Sequence, residues 1–135
     1  MVRMGLEQLI ADEPDLEICG ECESAEEALR LVETTRPDLV VLDLSLKGTH
    51  GLTLIRDIKA RFRGVPILVY SMHDEMLFGE RALQAGARGY VNKQADTDEL
   101  LEAMRKVLQG GVAVSPQVAE GMLARVAEGG LQPGR

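Results

Sequence analysis

Three polar residues of the types that handle phosphate groups, Asp43, Ser71 and Lys93, each close an apolar stretch of the sequence. A carboxylate can act as a nucleophile toward a phosphoryl group. An ammonium group can neutralise charge on the transferring oxygens, and a hydroxyl can afterwards bond one of them. In open α/β sheets, functional groups collect at the carboxyl ends of the strands. If the three stretches are neighbouring strands, these residues predict phosphoryl-group chemistry at one edge of a sheet.

Each of these residues also has an ordinary structural explanation. An aspartate after a strand is often a turn former or a helix cap, and Ser71 can serve in the same way. A lone lysine after a strand is usually solvated. Tyr90, three residues before Lys93, fits a half-buried strand aromatic. The functional interpretation is favoured only because Asp43, Ser71 and Lys93 occur together, each at the end of a predicted strand.

The residues around these positions indicate strands that alternate with helices. Continuous apolar runs, as in LVVLDL and PILVYS, are typical of strands buried on both faces. The predicted strands are residues 16–22, 39–44, 66–71 and 89–93. Strands that alternate with helices of this size indicate parallel βαβ units, and therefore an α/β layered sheet.

The predicted helices carry clear start signals. Asp96 and Glu99 form a capping box at the start of the helix that follows the strand at 89–93. The inward-facing stripe of that helix is Leu100, Leu101, Met104, Val107 and Leu108. A further amphipathic helix is predicted over residues 115–128, because a serine N-cap is followed there by a proline at the first helical position.

Composition narrows the class of protein. The chain has 135 residues, a formal net charge of −7 and a pI of about 4.8. This acidic balance argues against broad nucleic-acid binding, which needs clustered lysine and arginine. The sequence has no apolar run of about 18 residues, so no membrane span is expected. Residues 1–12 lack the pattern of a signal peptide, so a cytoplasmic location is expected.

The two cysteines, Cys19 and Cys22, form a CxxC pattern that could serve redox chemistry or half of a zinc site. A zinc site needs about two more ligands, and the histidines His50 and His73 do not form a paired ligand motif. The pair lies along a strand-like run. The sequence therefore favours two small core residues over a reactive pair.

Three segments resemble the receiver domain of two-component response regulators, in particular the LuxR-like (NarL/FixJ-type) class. They are LVVLDLSLKGTHGLTLI, VPILVYSMHDE and ALQAGARGYVNKQADTDELLEAMRKVLQGG. The resemblance implies a flavodoxin-like, doubly wound parallel sheet. It implies a receiver domain over residues 1–114. Residues 115–135 would then be a connector helix and tail, without a DNA-binding domain.

The resemblance also implies roles for individual residues. Asp43 matches the phosphoacceptor, which a histidine kinase modifies. Lys93 and Ser71 match the residues that contact the phosphoryl group, and Ser71 and Tyr90 match the two switch positions. Ser45 matches the position whose backbone carbonyl ligates Mg²⁺ together with Asp43. The resemblance implies no catalytic residue, so the chain is not expected to be an enzyme.

The sequence departs from the family pattern at its beginning. Family members start with an apolar strand that ends in an acidic pair, whereas this sequence starts within or just before the first helix. The first strand and the acidic pair are therefore expected to be missing, through a start site placed too far downstream or a truncation. Mg²⁺ takes about six oxygen ligands, so metal binding is expected to be weak. Lys47 and Gln94 stand where many receivers have proline.

Two functions from different classes follow from these observations. The first is a receiver that accepts a phosphoryl group on Asp43 and controls transcription in a longer protein. The alternative is a receiver-like module that takes no phosphate and acts by docking or dimerising. A phosphohydrolase of the haloacid dehalogenase class is disfavoured, because Asp43-Leu44-Ser45 lacks its second aspartate. The expected partners are a histidine kinase and a second copy of the chain, with no nucleic acid and no membrane.

Overall fold

A computed structural model describes most of the chain: residues 13–17, 20, 25–44, 48–71, 75–114 and 120. The chain forms two compact units, Met1–Pro37 and Asp38–Arg135. The part of the chain that the structure describes has no helix long and apolar enough to cross a membrane.

The first unit contains helix α1 (Ala25–Thr35), in which Ala28 and Val32 are buried at helical spacing. Before it, the amide of Leu16 donates to the carbonyl of Glu13 at 3.1 Å and closes a turn. Within the predicted strand 16–22, the described residues 16, 17 and 20 lie outside any strand. The strand prediction is therefore wrong for those residues. At Leu16 the reason is local, since its amide is bonded within the turn and cannot pair with a neighbouring strand.

The second unit is a parallel α/β arrangement. Its described elements are β1 (Val40–Leu44), α2 (Gly48–Arg61), β2 (Ile67–Ser71), α3 (Glu75–Ala85), β3 (Gly89–Asn92) and α4 (Thr97–Leu108). The three strands are parallel in the order β1-β2-β3, so β2 lies in the centre. Each strand is connected to the next by a helix, as parallel pairing requires.

The core of this unit lies around β2. Ile67, Leu68 and Val69 follow one another in the chain, and all three are fully buried. Successive side chains of a strand point to opposite faces, so β2 is covered on both sides. Ile55 and Ile58 of α2 are also fully buried and lie three residues apart on one helical face. The apolar run at 66–71 thus forms the predicted doubly buried strand.

Helix α4 begins at the predicted cap. Asp96 has extended backbone angles (φ −76°, ψ 170°), and its carboxylate accepts the amide of Glu99 at 2.8 Å. The predicted inward residues Leu100, Leu101, Met104 and Val107 are buried. Leu108, predicted to face inward, is 37% exposed. It is the last residue of the helix, and Gly110 (φ +92°) then turns the chain.

Replacement of Asp96 by alanine should lower the free energy of unfolding by about 1 kcal/mol, the usual cost of losing an N-cap acceptor. The urea midpoint should fall while the slope of the unfolding free energy with urea stays the same. Glu102→Ala, at an exposed position of the same helix, is the matched control and should change stability by less than about 0.5 kcal/mol. Equal losses in the two variants would contradict the capping role.

A single bridge extends the sheet beyond β3. Ala113 pairs with Gly89 in parallel. The Tyr90 amide donates to the Ala113 carbonyl at 2.8 Å, and the Ala113 amide donates to the Arg88 carbonyl at 3.0 Å. A Cβ atom at Gly89 would lie 2.6 Å from Leu68 Cδ1 and 3.1 Å from the Ala113 carbonyl oxygen. A side chain at this position would crowd both the Leu68 side chain and the Ala113 backbone, which favours glycine here.

The predicted missing first strand and the predicted helix over 115–128 stay predictions. Residues 1–12 lie outside the described residues, and of the segment 115–128 only Glu120, in a helical conformation, is described.

Candidate functional site

The sheet places the three positions predicted to handle a phosphoryl group, Asp43, Ser71 and Lys93, at one edge. Asp43 pairs with Tyr70, and Leu44 pairs with Ser71. Ser71 pairs with Asn92 on its other side. The amide of Lys93 then donates to the Ser71 carbonyl at 2.8 Å, which continues the ladder one residue past β3. Asp43 and Ser71 therefore lie at the carboxyl ends of adjacent strands, and Lys93 directly follows the carboxyl end of the next one, which meets the condition set by the sequence analysis.

Lys93 is positioned by a tight turn after β3. The side-chain oxygen of Asn92 accepts the amide of Gln94 at 2.8 Å, and the Asn92 carbonyl accepts the amide of Ala95 at 2.9 Å. Asparagine favours such turns because its side chain mimics the backbone. The lysine is half-buried at this edge. It therefore differs from the fully solvated lysine that is usual after a strand.

The ammonium group of Lys93 lies over an aromatic ring. Its Nζ is 5.9 Å from the centroid of the Tyr70 ring, within the range of a cation–π interaction. Sequence inspection did not select Tyr70 as a site residue. The available signal was one aromatic residue in the otherwise aliphatic strand PILVYS, but only the strand register shows which cation it faces.

The two predicted switch residues are both buried. Ser71 is fully buried at the end of β2, and Tyr90 is 2% exposed within β3. Tyr90 pairs with Val69 of the central strand, and its amide bonds Ala113 as described above. The sequence pattern suggested a half-buried aromatic at this position; the structure places the tyrosine in the core.

The expected metal ligands are only partly described. Asp43 is described through its strand pairing, and Ser45 lies outside the described residues. Among the described residues, no group of three or more His, Cys, Asp or Glu side chains could hold a metal ion. Mg²⁺ takes about six oxygen ligands, and the described donors do not make up such a set.

The arrangement of three strand ends can now be compared with known proteins. The family model for the response regulator receiver domain matches residues 1–105. The chain belongs to the response regulator receiver family. The predicted family is therefore confirmed. The match leaves the predicted absence of the first strand untested.

The relatives of this receiver include a transcriptional regulatory protein and the response regulator NarL, as the predicted class implies. The chain is 34% identical over 123 residues to the transcriptional regulatory protein DegU of Brevibacillus brevis, covering 91% of the chain and 52% of that protein. It is 32% identical to the nitrate/nitrite response regulator protein NarL of Escherichia coli, covering 85% of the chain and 53% of that protein. The chain thus spans about half the length of the curated relatives that it matches.

Solved structures confirm the predicted flavodoxin-like fold. A two-component response regulator of the LuxR family from Aurantimonas sp. SI85-9A1 matches with a TM-score of 0.81 and 37% identity, over 93% of this chain and 90% of that one. The isolated receiver domain of RcsB from Salmonella enterica, solved with the phosphomimetic BeF₃⁻, matches with a TM-score of 0.76 and 23% identity, over 88% of each chain. The second likeness supports the fold alone.

Proposed function

We propose that this receiver accepts a phosphoryl group on Asp43 from a histidine kinase and relays the change to an output that controls transcription. The observation that carries the proposal is the placement of Asp43, Ser71 and Lys93 at the carboxyl ends of adjacent strands. That placement occurs in a chain that belongs to the receiver family. The link to transcription rests on relatives such as the transcriptional regulatory protein DegU.

The proposed chemistry is one transfer between two proteins. A carboxylate oxygen of Asp43 attacks the phosphorus of a phosphohistidine on the kinase, and a P–O bond forms as the P–N bond breaks. The aspartate becomes an acyl phosphate, and the leaving imidazole nitrogen takes up a proton from solvent water. The ammonium of Lys93 pairs with a phosphoryl oxygen and offsets the added negative charge. The domain carries either one phosphoryl group or none, and these two states make it a switch.

The proposed relay uses the two buried switch residues. Ser71 ends the central strand, where its hydroxyl can bond a phosphoryl oxygen on the neighbouring strand end. Tyr90 lies in β3, the strand that also carries Lys93 toward the site. A shift of these side chains would alter the surface formed by α3, β3 and α4, and so change binding to a partner or to a second copy of the chain.

Two finer assignments belong to the same proposal. The receiver is taken to extend over residues 1–114, with the segment 115–135 as connector, and the pairing of Ala113 with Gly89 supports that boundary. Receiver domains commonly use Mg²⁺ in this transfer, and Asp43 with the Ser45 carbonyl would be two of its ligands.

The proposal is tested with acetyl phosphate as donor in the presence of Mg²⁺. Intact-protein mass spectrometry should show a gain of one phosphoryl group, and hydroxylamine should remove it, because hydroxylamine cleaves acyl phosphates but leaves serine phosphate esters intact. A label that resists hydroxylamine would contradict an aspartyl phosphate. No label at all would favour the alternative, a module that docks or dimerises without phosphate.

A further inference from the structure

We infer that Tyr70 is a positioning residue, whose ring holds the ammonium group of Lys93 at the strand edge beside Asp43. The inference rests on the proposed function, since it concerns the lysine that would meet the phosphoryl group. The contact behind it is the 5.9 Å separation between Lys93 Nζ and the centroid of the Tyr70 ring.

The strand register accounts for this contact. Tyr70 is the central residue of a row across the sheet, paired with Asp43 in β1 and with Val91 in β3. Lys93 is two residues beyond Val91, in the turn that directly follows β3. The bond from the Lys93 amide to the Ser71 carbonyl continues the ladder to this residue. The lysine therefore starts two residues beyond the row of Tyr70, close enough for its stem to lie back over the ring, as the position of its Nζ shows.

A ring is well suited to hold this particular cation. Lysine is a strongly hydrated point charge on a flexible four-carbon stem, so at a half-buried edge many of its rotamers would point into water. The face of an aromatic ring attracts the ammonium group electrostatically. It therefore favours the Lys93 rotamers that place Nζ over the Tyr70 ring. A carboxylate at the same position would also attract the lysine, but it would repel the incoming phosphoryl group. The neutral tyrosine orients Lys93 without adding negative charge next to Asp43.

The contact is testable without any phosphoryl group. In NMR spectra of the protein, the ring current of Tyr70 should shift the ε-methylene protons of Lys93 upfield. Tyr70→Phe keeps the ring and should keep the shift, whereas Tyr70→Leu should remove it. A Lys93 ε-proton shift that is the same in the parent and in Tyr70→Leu would overturn the contact. Tyr70→Met serves as a second ring-free variant if the leucine variant does not fold.

The positioning role is tested by the initial rate of phosphorylation by acetyl phosphate. Tyr70→Leu should lower the rate about 3-fold, as expected for loss of one partly exposed cation–π contact, and Tyr70→Phe should restore the parent rate. In a Lys93→Met background, the change from tyrosine to leucine should have no effect, because the cation that it positions is gone. An equal loss in both backgrounds would mean that Tyr70 acts through the fold, and would overturn the inference.

The two proposals fail in different ways. If the parent protein takes no phosphoryl group from acetyl phosphate, the proposed function falls, and the NMR shift still decides whether the ring holds Lys93. If the parent is labelled and Tyr70→Leu is labelled at the same rate, the proposed function stands and the positioning role is overturned.

Discussion

Replacement of Asp43 by asparagine should abolish labelling by acetyl phosphate, down to the background of the assay. Asparagine has nearly the same size and shape as aspartate, so the β1 backbone that pairs with β2 can be kept. Its amide has no anionic oxygen to attack phosphorus, so the acyl phosphate cannot form. Intact-protein mass spectrometry of parent and variant, treated in parallel, measures the effect.

The matched control is Asp57→Asn. Asp57 lies on α2 and is exposed, so its loss removes the same charge without touching the strand edge. This variant should take the same amount of label as the parent. Persistent label in Asp43→Asn, or loss of label in Asp57→Asn, would move the phosphoacceptor away from Asp43. A urea unfolding curve of each variant ensures that a missing label is not caused by unfolded protein.

Replacement of Ile67 by alanine should lower the free energy of unfolding by about 2–5 kcal/mol. Ile67 is fully buried in the central strand. It pairs with Val40, and its carbonyl accepts the amide of Arg88 at 2.8 Å. Truncation removes apolar surface and leaves a cavity between elements that cannot close around it. A domain of this kind has only about 5–15 kcal/mol to lose, so a large part of its stability would disappear.

Urea unfolding followed by circular dichroism measures this loss. Ile67→Val, which removes a single methyl group, should cost about 0.5–1.5 kcal/mol. Val112→Ala is the exposed control, since Val112 is 44% exposed, and it should change stability by less than about 0.5 kcal/mol. If Ile67→Ala were as mild as Val112→Ala, β2 would not be the centre of the core.

Local patterns in the sequence were sufficient to predict most of the second unit. The uninterrupted apolar run that ends at Ser71 is typical of a strand covered on both faces, and the buried triplet beginning at Ile67 confirms that prediction. Asp96 could be identified as an N-cap because its hydrogen bond reaches only to Glu99, three residues away. Such features depend on neighbours in the chain, and sequence spacing contains that information.

Features that depend on strand register could not be predicted. The contact between Tyr70 and Lys93 requires knowing that β2 and β3 are adjacent and that Tyr70 is level with Val91. The bridge from Ala113 to Gly89 involves a single pair far apart in the sequence, so the short VAV segment gave no signal of a partner. Leu108 fitted the apolar stripe by spacing, but the end of the helix leaves it partly exposed.

The bridge at Ala113 also affects how this domain behaves at high concentration. The outer edge of a parallel sheet ordinarily offers free amides and carbonyls to a strand from another molecule, and this is a common route to aggregation. At β3 the chain itself occupies that edge, since the Tyr90 amide and the Arg88 carbonyl are both bonded to Ala113. A foreign strand would have to displace these bonds before it could add to the sheet at β3. Ala113 therefore blocks the start of this edge, at Arg88 to Tyr90, against intermolecular strand pairing.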